Sequence, residues 1–182
     1  MAEYTKEERR QLLALAREAI HAALEERTLD LTPPTEHLAE HRGAFTTLHI
    51  NGELRGCVGH IFAQHALYRT IAETAVAAAF EDPRFRPLTK SEAEFLQFEI
   101  SVLSPLQEMD PEDLEVGKHG LLITYGSRRG LLLPQVATEH EWDREKFLQQ
   151  TCVKAGLPPD AWEHGAKIEA FSAEIFSDTD LD

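Results

Sequence analysis

Apolar residues recur at Leu12, Leu13, Ala16, Ile20, Ala23 and Leu24, the three- and four-residue spacing that lines one face of a helix. Thr5-Lys6-Glu7-Glu8 ahead of them has the form of a capping box, so a helix is predicted over Lys6–Glu26. Thr32-Pro33-Pro34-Thr35 breaks it and opens an irregular linker to about Arg42. Two strands, Phe45–Ile50 and Glu53–Val58, then flank Asn51-Gly52, the dipeptide preferred in two-residue hairpin turns. Helical spacing returns over Ala66–Phe80 in an alanine-rich stretch that keeps the helix slim, and Pro83 ends it. A second capping box, Thr89-Lys90-Ser91-Glu92, opens a short helix before a strand over Gln97–Leu103.

Gly117-Lys118-His119-Gly120 leads into a strand over Leu121–Tyr125. Gly126–Gly130 reads as a turn, and Leu131–Leu133 as a returning strand stopped by Pro134. Asp143 caps the last long helix, which Gly156 terminates. Lys167–Phe176 reads as one final strand, and residues 177–182 as an acidic, frayed tail. Hairpins mixed with separate helices predict an α+β fold, with helices packed on a largely antiparallel sheet, in one domain over residues 1–182.

Composition adds limits. No run approaches the ~18 consecutive apolar residues of a membrane span. The start of the chain lacks the basic and apolar segments of a signal peptide, so a cytoplasmic location is expected. A net charge of −14 opposes binding to nucleic acid or anionic membranes. Between Ser91 and Gly117 lie eight acidic residues and no lysine or arginine. Such a run is ordinarily a solvated face; the sharper reading is a docking surface for a basic partner.

The densest chemistry sits in Leu54-Arg55-Gly56-Cys57-Val58-Gly59. Alternation along a strand puts Glu53, Arg55 and Cys57 on one face, and a neighbouring arginine favours the reactive thiolate. A simple Asn51-Gly52 turn adds Leu48 and Ile50 to that face, so neither side of the hairpin is cleanly apolar. The face is then a half-buried pocket wall, or a bulge at Gly56 turns the cysteine over. The plainer alternative makes Cys57 a small buried hydrophobe. Cys152, on an apolar helical stripe, reads as core. Gly56 and Gly59 permit close approach of backbone to a ligand.

Arg84 and Arg86, in Asp82-Pro83-Arg84-Phe85-Arg86-Pro87, join Arg55 as a candidate cationic spot for a carboxylate or phosphate. The alternative pairs Arg84 with Asp82 or Glu81. His119, between glycines, reads as an exposed imidazole able to move protons, or as solvent-facing decoration. His37-Leu38-Ala39-Glu40-His41 matches the H-x-x-E-H pattern of a zinc-protease motif, but it lies in a proline-led linker, so no metal site is expected. No cofactor motif occurs.

Beyond the hexapeptide, Gly43–Leu48, Asn51–Leu54, Asp82–Phe85, Pro87-Leu88, Gly117–Gly120, Leu133–Ala137 and Trp142 together resemble, in order, the AMMECR-type domain family, the protein A component of the AmmeMemoRadiSam system. The resemblance spans nearly the whole chain. It implies an α+β fold with a larger and a smaller lobe, and association with a Memo-type protein and a radical S-adenosylmethionine enzyme. It supplies no established reaction. As an enzyme, Cys57 is the nucleophile or hydrogen-atom donor, Asp82 or His119 moves protons, and Arg55, Gly56, Gly59 and Arg84 receive an anionic substrate. As a non-catalytic adaptor, the chain docks those partners through the acidic Ser91–Gly117 surface.

Overall fold

A computed structural model describes residues 2–181. Helix α1, Lys6–Leu24, opens on the expected capping box: the Thr5 hydroxyl accepts the Glu8 N–H, and Glu8 returns to the Thr5 N–H. The hairpin strands β1, Ala44–Ile50, and β2, Glu53–His60, turn through Asn51 and Gly52, both at positive φ (53° and 79°). Next come α2, Leu67–Phe80; α3, Lys90–Ala93, with its own capping box; and β3, Leu96–Leu103. The short β4, Gln107-Glu108, precedes β5, Gly120–Tyr125, and β6, Arg128–Leu132. Helices α4, Pro134–Glu139, and α5, Arg144–Lys154, lead to β7, Lys167–Phe171, and β8, Ala173–Ser177.

The fold is α+β, and its antiparallel strands form two four-stranded sheets rather than one. Contacts divide the chain into two compact units: one holds the chain up to Leu103 and from Glu174 onward, the other Ser104–Ala173. In the first unit the sheet order is β2-β1-β3-β8. Ala44, Thr46, Leu48, Phe98, Ile100 and Val102 line its core face with Leu12, Ala16 and Ile20 of α1 and Ile71, Ala75 and Ala78 of α2. Thr46 is a polar intruder there, and its hydroxyl meets that of Thr74 at 2.9 Å, which satisfies both. The alanines of α2 let the helix approach closely: a Cβ on Gly56 would sit 2.1 Å from the Ala78 carbonyl oxygen. In the second unit the order is β4-β7-β5-β6, and Leu121, Ile123, Ala170, Phe147, Leu148 and Cys152 share the core.

Three expectations are corrected. Lys167–Phe176 is two strands, because the chain breaks at Ser172, whose N–H donates to the Ser104 hydroxyl at 2.8 Å; β7 and β8 then join different sheets. Pro134 starts α4 instead of merely ending a strand, since a proline at the first helical turn loses no hydrogen bond. The end of the chain is tied down where fraying was expected: Asp178–Asp180 form a 3-10 turn, and Asp178 accepts the Phe98 N–H at 2.8 Å. Asp182, the last residue of that tail, lies outside the described residues. Among the described residues no helix is long and apolar enough to cross a membrane.

Candidate functional site

Cys57 owes its position to a bulge. Leu48 pairs with Gly56 but His49 pairs with Leu54, so Arg55 has no partner across the hairpin. An unshifted register would set Cys57 opposite the buried Thr46. The extra residue instead sets it opposite Thr47, and gives Thr46 to Val58. Val58 then packs on the core, while Cys57 joins Thr47 and, one strand further, Glu99 on the opposite face. The bulge falls at Arg55, one residue before the expected Gly56. Cys57 is half-buried, and its Sγ lies 3.2 Å from the Thr47 hydroxyl.

Arg55 therefore leaves the alternation. Its Nε donates to Glu92 at 2.8 Å, and one terminal nitrogen donates to the Arg86 carbonyl at 2.7 Å. Its guanidinium stands 5.7 Å from the centre of the Phe85 ring. Hydrogen bonding from Arg55, reinforced by the Thr89 N–H, outweighs desolvation and holds the Glu92 carboxyl down to about 2. This cation is thus committed to a carboxylate of its own protein.

Asp82 occupies the hinge of the site. It follows α2, is 5% exposed, and gathers donors from two directions. The backbone N–H of Cys57, on the outer side of edge strand β2, donates to it at 3.0 Å. Arg84 donates to it from its backbone at 3.1 Å, from Nε at 3.0 Å and from a terminal nitrogen at 2.8 Å. The Arg84 side chain, with the two N–H donors, keeps the Asp82 carboxyl well below the usual range despite its burial. Its pairing with Arg84 is the arrangement foreseen as the alternative to a free cation. Yet the Arg84 side chain remains 56% exposed. Its own pKa is raised, first by the hydrogen bond to Asp82.

The glycines act sterically. Gly56 admits α2, as described above, and Gly59 lies under the Phe45 ring, where a Cβ would meet a ring carbon at 2.2 Å. Cys57, Arg55, Gly56, Gly59, Asp82 and Arg84 all belong to the first unit. His119 belongs to the second; its Nδ1 accepts the Glu115 N–H at 3.0 Å, which leaves Nε2 to carry the proton of the neutral ring. Cys152 is fully buried, and burial pushes its thiol up.

Sequence reasoning missed Thr47 and Glu99. They reach the site through the pairing of β1 with β2 and β3, and only the position of the bulge reveals which threonine of Thr46-Thr47 faces the sulfur. The H-x-x-E-H segment forms a 3-10 turn, His37–Ala39, and His37 is drawn into a local network: Nδ1 meets Glu8 at 3.0 Å and the ring stacks on Tyr4 at 4.4 Å. Glu3, His37 and Glu40 do converge, but Arg42 already binds both carboxylates.

The chain matches the AMMECR1 family over residues 13–176. It is 41% identical over 189 residues to protein Mbar_A1807 of Methanosarcina barkeri, covering 96% of this chain and 92% of that one. It is 42% identical over 186 residues to protein MK0488 of Methanopyrus kandleri, covering 96% and 90%. Among solved structures, the crystal structure of the uncharacterized protein PH0010 from Pyrococcus horikoshii superposes with a TM-score of 0.76 at 38% identity, covering 92% of this chain and 89% of that one.

Proposed function

Because this chain belongs to the AMMECR1 family, we propose that it is the thiol-bearing component of a system shared with a Memo-type protein and a radical S-adenosylmethionine enzyme, with Cys57 and Arg84 as its site for a small anionic substrate. The partner system is what the family resemblance implies. One observation carries the site: a single buried carboxylate, Asp82, bonds both the backbone of Cys57 and the guanidinium of Arg84. That shared anchor fixes a nucleophile and a half-exposed cation relative to each other. Arg84 draws a carboxylate or phosphate towards the thiol. Arg55, already bound by Glu92, supports the turn around Phe85 instead of receiving substrate. Asp82, held ionised, positions its neighbours and passes no proton near neutral pH.

Alkylation of Cys57 by iodoacetate and by iodoacetamide, located by peptide mass mapping, tests the reading. Relative to the same ratio in urea-unfolded chain, the anionic reagent gains roughly three- to tenfold in the folded protein, and Arg84→Gln removes the gain. A ratio that ignores Arg84, or a Cys57 no more reactive than buried Cys152, defeats it.

A second reading, a non-catalytic adaptor, draws on one observation. Glu108, Asp110, Glu112, Asp113 and Glu115 of the second unit are all exposed. Charge reversal at Glu112, Asp113 and Glu115 would abolish co-purification with either partner enzyme; unchanged complex formation removes this surface from consideration.

A further inference from the structure

The threonine opposite the sulfur carries a role that the proposed site does not yet use. We propose that Thr47 is a positioning residue for Cys57: its hydroxyl donates a hydrogen bond to the thiolate and holds the sulfur on the polar face of the sheet. This rests on the reading of Cys57 as a reactive thiol.

Three observations converge on it. The bulge at Arg55 brings Thr47, and not Thr46, opposite Cys57. The Thr47 hydroxyl and the Cys57 sulfur are 3.2 Å apart, a hydrogen-bonding distance. The two adjacent threonines are also put to opposite uses, since Thr46 spends its hydroxyl on Thr74 inside the core. A threonine side chain is stiff about its first torsion, so a strand holding its backbone also holds the oxygen.

The bond is not indifferent to ionisation. With a neutral thiol either group donates, and the contact is weak. With a thiolate only the hydroxyl can donate, and a hydrogen bond to a charged acceptor is the stronger kind. The bond therefore favours the charged form. Other groups act on the same sulfur. On its face lie Glu99 of β3, which disfavours the thiolate, and His49 of β1. From the segment after α2 come Asp82 at the backbone and the cation of Arg84. Thr47 differs from the carboxylates and the arginine in acting without charge, so its contribution can be separated by shape.

The test is the pH dependence of Cys57 alkylation by iodoacetamide in the full chain, read by peptide mass mapping, with Thr47→Val and Thr47→Ser. Valine keeps the branched shape and loses the hydroxyl; serine does the reverse. Thr47→Val raises the midpoint by roughly 0.5 to 1 pH unit, the effect of one modest hydrogen bond on one charge state. Thr47→Ser stays within about 0.2 unit of the parent protein, which rescue by the hydroxyl requires and a packing role does not. Thermal unfolding of both variants confirms that they are folded. A Thr47→Val midpoint equal to the parent's, or a Thr47→Ser shift as large as that of valine, overturns the role of Thr47 and leaves Cys57 reactive. A parent Cys57 that reacts no faster than Cys152 overturns the reading beneath it as well.

Discussion

Asp82 accepts the backbone N–H of Cys57 at 3.0 Å, so the open edge of strand β2 is closed by a side chain from beyond the end of α2. An edge strand ordinarily leaves such donors to water or to another chain. Here the donor is spent on a carboxylate that also holds Arg84. Stability and chemistry meet in one group.

Replacing Asp82 tests both. Asp82→Ala strands two backbone donors and the guanidinium of Arg84, at a cost of about 2–3 kcal/mol in urea unfolding. The same variant slows Cys57 alkylation, because the strand edge and the cation lose their common anchor.

Acid should weaken the fold through two carboxylates. Asp82 and Glu92 titrate below their ordinary values of 3.8 and 4.5 in the folded protein. Their stabilisation is therefore full above those values and is lost as the pH falls through the folded ones, for Glu92 between 4.5 and about 2. Stability curves for Glu92→Gln should flatten in that window, and an undiminished slope would refute the assignment.

The Arg55–Glu92 pair can be measured separately. The two side chains are 12% and 35% exposed, so solvent screens the bond only in part. A double-mutant cycle with Arg55→Met and Glu92→Gln should give a coupling of about 1 kcal/mol.

Gly56 and Gly59 should respond unequally to a methyl group. At Gly56 the new carbon strikes the Ala78 backbone, and helix α2 must move; Gly56→Ala should cost at least ~2 kcal/mol. At Gly59 it strikes the half-buried Phe45 ring down to its root carbon at 2.4 Å, so a whole side chain must shift but no backbone, and Gly59→Ala should cost less. Equal losses in thermal unfolding would contradict the packing described for α2.

His37 should show the opposite sign of pH dependence to the carboxylates. Burial lowers its pKa, but hydrogen bonds to Glu8 and Glu3 outweigh burial and raise it above 6.5. Its contribution is full below pH 6.5 and disappears as the pH rises through the folded value. Comparison with His37→Gln between pH 6 and 9 should reveal a loss of up to about 1 kcal/mol on the alkaline side.

Most elements were legible because the chain announces them locally. Thr5 and Thr89 cap their helices as the spacing of Glu8 and Glu92 requires, and Asn51-Gly52 turns the hairpin. What escaped depends on partners remote in sequence. Ser172 carries no breaker residue; its kink becomes visible only with Ser104 beside it. The strand β6 begins at Arg128, ahead of the apolar Leu131, because pairing with β5 continues up to a two-residue Gly126-Ser127 turn. The same holds at the site. Cys57 and Asp82 were identifiable as residue types, but the bond between them spans twenty-five positions. The two-faced conflict of the hairpin was readable, whereas its resolution at Arg55 required the register.

That unpaired Arg55 makes the placing of the thiol a matter of which residue is left out of the pairing. Substituting any one residue of the arm disturbs one neighbourhood. Were the strand to pair without leaving Arg55 out, inside and outside would exchange along everything from Gly56 to Gly59: the sulfur would stand opposite buried Thr46, and Val58 would turn to the other face. Losing Arg55 outright would instead leave Leu48 opposite Gly56 and Thr47 opposite Cys57, so the cysteine keeps its face when the extra residue goes.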